Sequence, residues 1–176
     1  VGKDKASQFL VSHLRLEGDR SRIEKASIFY EQKLICHKLY SWANLRHPDY
    51  YETESGAEDK ERVLPKIGKS PRDIYIQFAI GTEVIHPTTG IDYLFQVCNG
   101  VDKLIISDLR RPSEAERIHE NGGYVIRIDK PDAPISNDPV DMAMAAYKDW
   151  DAIITNDGDL GNLHKEVVRV ATLLKI

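Results

Sequence analysis

The chain has little cysteine. Cys36 and Cys98 are its only two among 176 residues, and they lie far apart with no C-x-x-C spacing. That excludes a disulfide scaffold and a thioredoxin-like motif, and two buried free thiols in a reducing cytoplasm are expected. Apolar runs such as Leu104–Ile106 are far shorter than the roughly 20 residues a membrane helix needs. The first ten residues carry Lys3, Asp4 and Lys5 and no apolar stretch, so no signal peptide is expected. The six histidines are scattered without metal-ligand spacing, which argues against a zinc site. No G-x-S-x-G is present, which argues against a hydrolase elbow. Aromatic residues are too dispersed for a stacking platform. Tyr50-Tyr51 is the one cluster and reads as surface tyrosines, with contact to a base as the alternative. A net charge of −4 argues against a whole-surface grip on a nucleic acid polymer, yet local Lys and Arg groups suffice for a small phosphate.

What is present reads as a single domain over residues 1–176, with 41% hydrophobic and 30% charged residues in the ordinary globular balance. Residues 3–16 place Ala6, Phe9, Leu10, His13 and Leu14 on one helical face, which Gly18 and Asp19 terminate. Residues 31–42 show similar spacing. The polar stretch 46–69 is expected as a mobile, substrate-facing loop. Ser70, Pro71 and Asp73 form a helix start, with an N-cap, a proline at the first position and an acid at the third. That helix runs to Ile85, weakened by Gly81, and a short helix over 93–98 follows. From residue 103, apolar strands (104–108, 124–129, 152–157) alternate with helices (112–120, 142–147, 160–174). The order predicts βαβ crossovers and an α/β fold with a mainly parallel sheet covered on both faces. Ligands of such sheets lie beyond the carboxyl ends of the strands. Here those ends carry Ser107, Asp108, Arg110 and Arg111, then Asp129 and Lys130, then Asn156, Asp157 and Gly158.

Three segments could carry chemistry. Gly2-Lys3-Asp4-Lys5 opens a helix in the manner of the back half of a phosphate-binding loop. Glycine lets backbone N–H groups approach phosphate, lysine neutralises it, and the helix N-terminus faces the anion. The front half of such a loop and its strand are not in the sequence, so a natural start upstream is expected. In 105–116, an apolar strand ends on Asp108, a position suited to Mg²⁺, with Arg110 and Arg111 where a phosphate would lie. The alternative is a capping aspartate and two solvated arginines. In 69–84, Arg72 stands at a helix start and Glu83 near its end; the alternative is an amphipathic helix with polar ends. Asn156, Asp157 and Gly158 equally suit a simple turn.

The order of these segments resembles the deoxynucleoside monophosphate kinases of phage and bacterial type. The resemblance covers nearly the whole chain. It runs through Gly2-Lys3-Asp4, the segment 27–42, Gly68-Lys69-Ser70-Pro71-Arg72-Asp73, Gly81-Thr82-Glu83, Asp108-Leu109-Arg110-Arg111-Pro112-Ser113-Glu114-Ala115-Glu116, Gly122-Gly123, Tyr147, Asp151 and Asn156-Asp157-Gly158-Asp159-Leu160. Asp108–Glu116 is its most specific block. Three departures stand out: the missing front of the loop, Lys5 where the family has threonine, and 131–141, which lacks the family's His-x-Ser-Glu pattern.

The resemblance implies a P-loop kinase-like three-layer α/β/α sandwich and a cytoplasmic, ATP-dependent enzyme that phosphorylates a deoxynucleoside monophosphate. It implies ATP along Gly2, Lys3, Asp4 and Lys5, with Asn156 and Gly158 lining the adenine. Mg²⁺ would be held by Asp108 and Asp4. Lys3, Asp108 and Arg110 would be the catalytic groups. Arg72, Glu83, Arg111, Lys130 and the segment containing Phe29 and Tyr30 would hold the acceptor. A dephospho-coenzyme A kinase, which shares the Asn-x-Gly-x-Leu ending, and a catalytically silent nucleotide-binding module are the alternatives. The sequence leaves a homodimer open.

Overall fold

The computed structural model describes residues 2–18, 20–131 and 139–176, without the side chains of 139–141. The chain divides into two compact units, Val1–Ala26 with Cys98–Ile176, and Ser27–Val97.

Among the described residues the first unit holds four helices and four short strands. In order they are α1 (Lys3–Leu16), β1 (Ile23–Ala26), β2 (Lys103–Ile106), α6 (Pro112–Glu120), β3 (Ile126–Asp129), α7 (Pro139–Ala146), β4 (Ala152–Thr155) and α8 (Leu160–Leu174). The strands form two parallel pairs, β1 with β2 and β3 with β4, in register Ile23↔Lys103 and Ile126↔Ala152. The α/β class and the parallel pairing agree with expectation. The expected single sheet does not: among the described residues β2 pairs with β1, a strand the sequence did not announce, and not with β3 or β4.

One apolar core explains α1 and α8. Leu163, Val167 and Val170 repeat at helical spacing and meet Ala6, Ala152 and Ile154, with Phe9, Leu10, Ile126 and Ile128 packed around them. Val125 instead joins Ala115 and Tyr147 in a second cluster that includes Ile118, Met144 and Trp150. Ile126 and Ile128, two apart on β3, thus face the first core, while Val125, just before the strand, joins the second.

The second unit is helical: α2 (Ile28–Tyr40), α3 (Glu54–Asp59), α4 (Pro71–Ile85) and α5 (Thr89–Val97), with short 3-10 turns at Ser41–Ala43 and Pro48–Glu52. Segment 46–69 is therefore not structureless. Pro48 starts the 3-10 turn and the Thr53 side chain caps α3, while Leu64 bridges to Lys69. Tyr51 is buried in the core with Cys36, Leu45 and Ile74, which corrects its reading as a surface residue. Tyr50 donates to Asp59 at 2.5 Å and lies under the Arg46 guanidinium. The helix start at Ser70 is as expected: Ser70 Oγ accepts from Asp73 N at 3.1 Å, and Asp73 accepts in return from Ser70 N at 3.1 Å. Cys36 is fully buried, and burial pushes its thiol up to about 11. Cys98 is only half-buried, so the expectation of two buried thiols holds for one. No helix among the described residues is long and apolar enough to cross a membrane.

Candidate active site

In the first unit the first turn of α1 meets the ends of three strands. Gly2 has φ 102° and ψ −13°, in the left-handed region, and its carbonyl accepts from Ala6 N at 2.8 Å to start the helix. A Cβ at Gly2 would stand 2.6 Å from Asn156 Nδ2, so the amide just past β4 lies against this glycine. Both observations require glycine here. Asp4 forms an ion pair of 3.0 Å with Lys25 of β1. The hydrogen bond from Lys25 is the main cause holding its carboxyl below the ordinary aspartate range, and a hydrogen bond from Ser107, just past β2, acts in the same direction. Gly2, Asp4, Ser107 and Asn156 are thus brought together, and Asp108 follows Ser107 directly. Asn156 N also donates to Asp129 O at 2.6 Å, tying the end of β3 to that of β4. Lys3 and Lys5 are exposed beside them, as is Gly158, and Asn156 is half-buried.

The loop after β2 is held by Glu114. Its Oε2 accepts from Arg110 N at 2.9 Å and from Arg111 N at 3.1 Å, and the residue is only 4% exposed. Burial pushes its carboxyl above the usual glutamate range, against the lowering by those two N–H groups. Glu114 thus supplies a capping carboxylate at the start of α6. Arg110 is exposed and Arg111 half-buried. Arg127 pairs with Asp129 and faces the Trp150 ring at 5.9 Å, a structural role. Lys130 is exposed. Of the stretch 131–141, where the family pattern departs, residues 132–138 lie outside the described residues.

The remaining acceptor candidates belong to the second unit. Arg72 is exposed and ion-paired with Glu61, and its backbone N donates to Lys60 O at 3.0 Å. Tyr30 donates to Asp49 at 2.7 Å. Phe29 and Glu83 are half-buried.

Among the described residues no three His, Cys, Asp or Glu side chains gather to hold a resident metal. A Mg²⁺ that arrives on a nucleotide needs only one or two protein carboxylates beside the phosphates. Asp4, in the first turn of α1, already faces a protein cation, Lys25.

The chain is similar to proteins named as kinases. A protein of Acanthamoeba polyphaga mimivirus named "Putative deoxynucleotide monophosphate kinase" is 26% identical over 191 aligned residues, covering 95% of this chain and 89% of that protein. The deoxynucleotide monophosphate kinase of Enterobacteria phage T4 is 29% identical over 84 residues, covering 48% of this chain and 35% of the phage protein. The chain is similar to these two proteins at no more than 29% identity in either case. No family model matches it.

Two residues shared with the kinase pattern serve the fold. Asp151 Oδ2 accepts from Val125 N at 2.6 Å and lies 2.8 Å from His119 Nε2. Tyr147 is buried, with its hydroxyl 3.3 Å from His119 Nδ1. This cluster sits where β3 and β4 begin, at the opposite end from Asp129 and Asn156. Sequence reasoning missed Lys25, because its strand has no apolar alternation. It also missed the role of Glu114, although the spacing Arg111-x-x-Glu114 is that of a capping box.

Proposed function

We propose that the chain is a cytoplasmic phosphotransferase that moves the γ-phosphoryl group of ATP to a deoxynucleoside monophosphate. The observation that carries this reading is the meeting of the α1 N-terminus with Ser107 and Asn156 at the carboxyl ends of parallel strands. A left-handed glycine, an exposed lysine and a helix N-terminus suit an anion, and strand-end polar groups suit a nucleotide. The relation to the mimivirus protein over 95% of the chain supports the same reading.

In this mechanism Lys3 neutralises the terminal phosphates of ATP, with Gly2, Asp4 and Lys5 along them and Asn156 and Gly158 beside the adenine. Asp108 and Asp4 would hold Mg²⁺, which when bound supplies charge neutralisation at the phosphates. Arg110 binds the phosphoryl group in transit, Arg111 and Lys130 assist, and Arg72, Glu83, Phe29 and Tyr30 bind the acceptor. Such catalysis is positioning and electrostatics, so each arginine contributes through its planar fork.

The test is a coupled ATP-consumption screen of the full-length protein over common nucleoside and deoxynucleoside monophosphates, with dephospho-coenzyme A alongside. Consumption with a deoxynucleoside monophosphate supports the reading; consumption with dephospho-coenzyme A alone, or with nothing, overturns it. Within that assay Arg72→Ala and Arg110→Ala should each lower kcat/KM roughly ten- to hundredfold, the loss of a charge-assisted contact. Lysine should rescue only partly. Melting should hardly change, since the Arg72–Glu61 pair is exposed and worth about 0–1 kcal/mol.

A further inference from the structure

The seam between α2 and α4 in the second unit contains two buried polar atoms without a partner, Gln32 Oε1 and the Tyr75 hydroxyl. They are not independent packing faults. Gln32 and Cys36 stand one turn apart on α2, and on α4 Thr82 faces the first while Tyr75 packs in the cluster around the second.

The amide of Gln32 has a definite orientation. The Thr82 hydroxyl gives its one proton to Ala79 O at 2.9 Å, so at 3.5 Å it can only accept from Gln32 Nε2. Oε1 is left as an acceptor with no donor, in a side chain belonging to a residue 7% exposed. Gly90 of α5 closes over the same amide: a Cβ there would lie 3.0 Å from Gln32 Nε2 and 2.9 Å from Ile28 Cγ2. Buried polar groups are almost always satisfied, and an orphaned acceptor destabilises the fold. Leucine at this position would keep the packing without that cost. Local rules are broken in this manner where a site needs the group.

What Oε1 lacks is an N–H donor, and every nucleobase offers one on its hydrogen-bonding edge, as an exocyclic amino group or a ring N–H. The neighbouring residues Phe29, Tyr30 and Glu83 are those already assigned to the acceptor. We propose that Gln32 reads the base of the acceptor monophosphate, its Oε1 accepting a hydrogen bond from that N–H as the α2–α4 seam opens to admit the base. This rests on the function proposed above.

The experiment compares wild type, Gln32→Leu and the near-isosteric Gln32→Met in the coupled assay, with four deoxynucleoside monophosphates and with analogues whose donor nitrogen is methylated until it carries no hydrogen (ring N-methyl or exocyclic dimethylamino). Melting curves run in parallel. In wild type, methylation should raise the monophosphate KM roughly ten- to hundredfold, the loss of one hydrogen bond in a dry site. Both variants should show that raised KM with every base, indifference to methylation, an unchanged KM for ATP, and a melting temperature equal to or above wild type. An unchanged monophosphate KM and unchanged methylation sensitivity in a folded variant would overturn the proposal, as would a lowered melting temperature with kinetics intact. Wild type inert toward every monophosphate would instead overturn the kinase reading. Should Gln32→Leu not fold, Gln32→Met and the methylated analogues on wild type give the same decision.

Discussion

Lys3→Ala is expected to lower turnover about 10²–10³-fold, the usual effect of removing one preorganised electrostatic partner from a transition state. Lys3 is exposed in the first turn of α1. Its own backbone continues a helix that Gly2 starts and that Ala6 and Leu14 anchor in the core. Folding therefore has no use for the ammonium group, and an exposed substitution should change stability by no more than about 0.5 kcal/mol, or about 2 °C in a chain of this size. Arginine should rescue little, because its fork is wider than the compact ammonium and the amide of Asn156 already occupies the space against Gly2. The measurement is kcat with saturating ATP and monophosphate beside a melting curve. Turnover within about threefold of wild type would remove the α1 N-terminus from the phosphate site, since a charge that contacts a migrating phosphoryl group cannot be that dispensable.

The parts of this protein that were legible in the sequence are those where local chemistry decides. The start of α4 follows from Ser70, Pro71 and Asp73 because a cap needs only residues within one turn. The faces of α1 and α8 follow from spacing because one core fills both. β1 was not legible: Ile23 is buried but Glu24 and Lys25 are not, and its strand state comes from pairing with β2, nearly eighty residues away. The same long-range pairing brings Lys25 to Asp4, so that contact was invisible too. β3 starts at Ile126, later than its apolar run suggests, because Val125 N donates to the Asp151 side chain. Segment 46–69 reads as loop by composition, while Tyr51 and the capped turn at Thr53 fold it. No change of composition marks Ala26 or Val97, where the two units divide, because the intervening residues have a core of their own and not a linker's chemistry.

Glu114 carries the second large effect, this one on the fold and through it on the site. Its carboxylate fixes two backbone N–H groups, of Arg110 and Arg111, inside the loop that bears Asp108. Glu114→Ala leaves both donors without that acceptor in a part-buried place. At about 1–3 kcal/mol for each unsatisfied group, partly relieved by water, the loss should be roughly 2–4 kcal/mol. At about 2–4 °C per kcal/mol, melting should fall by roughly 4–16 °C. Turnover should fall about 10²-fold, because Asp108 and Arg110 lose their placement. Glu114→Gln keeps an acceptor oxygen and removes the buried charge, so it should stay within about 1 kcal/mol of wild type at pH 7. The dependence on pH separates charge from shape. Burial raises the Glu114 pKa in the folded protein. Its contribution to stability is therefore complete below the ordinary glutamate range and is lost as pH rises through the folded value. The amide introduced by Glu114→Gln does not titrate. The stability of Glu114→Gln relative to wild type should thus grow as pH rises above the ordinary glutamate range, measured by denaturant unfolding at several pH values. A difference that stays constant across those pH values would mean that the Arg110 and Arg111 N–H groups compensate the buried charge fully, and that Glu114 acts through its shape alone.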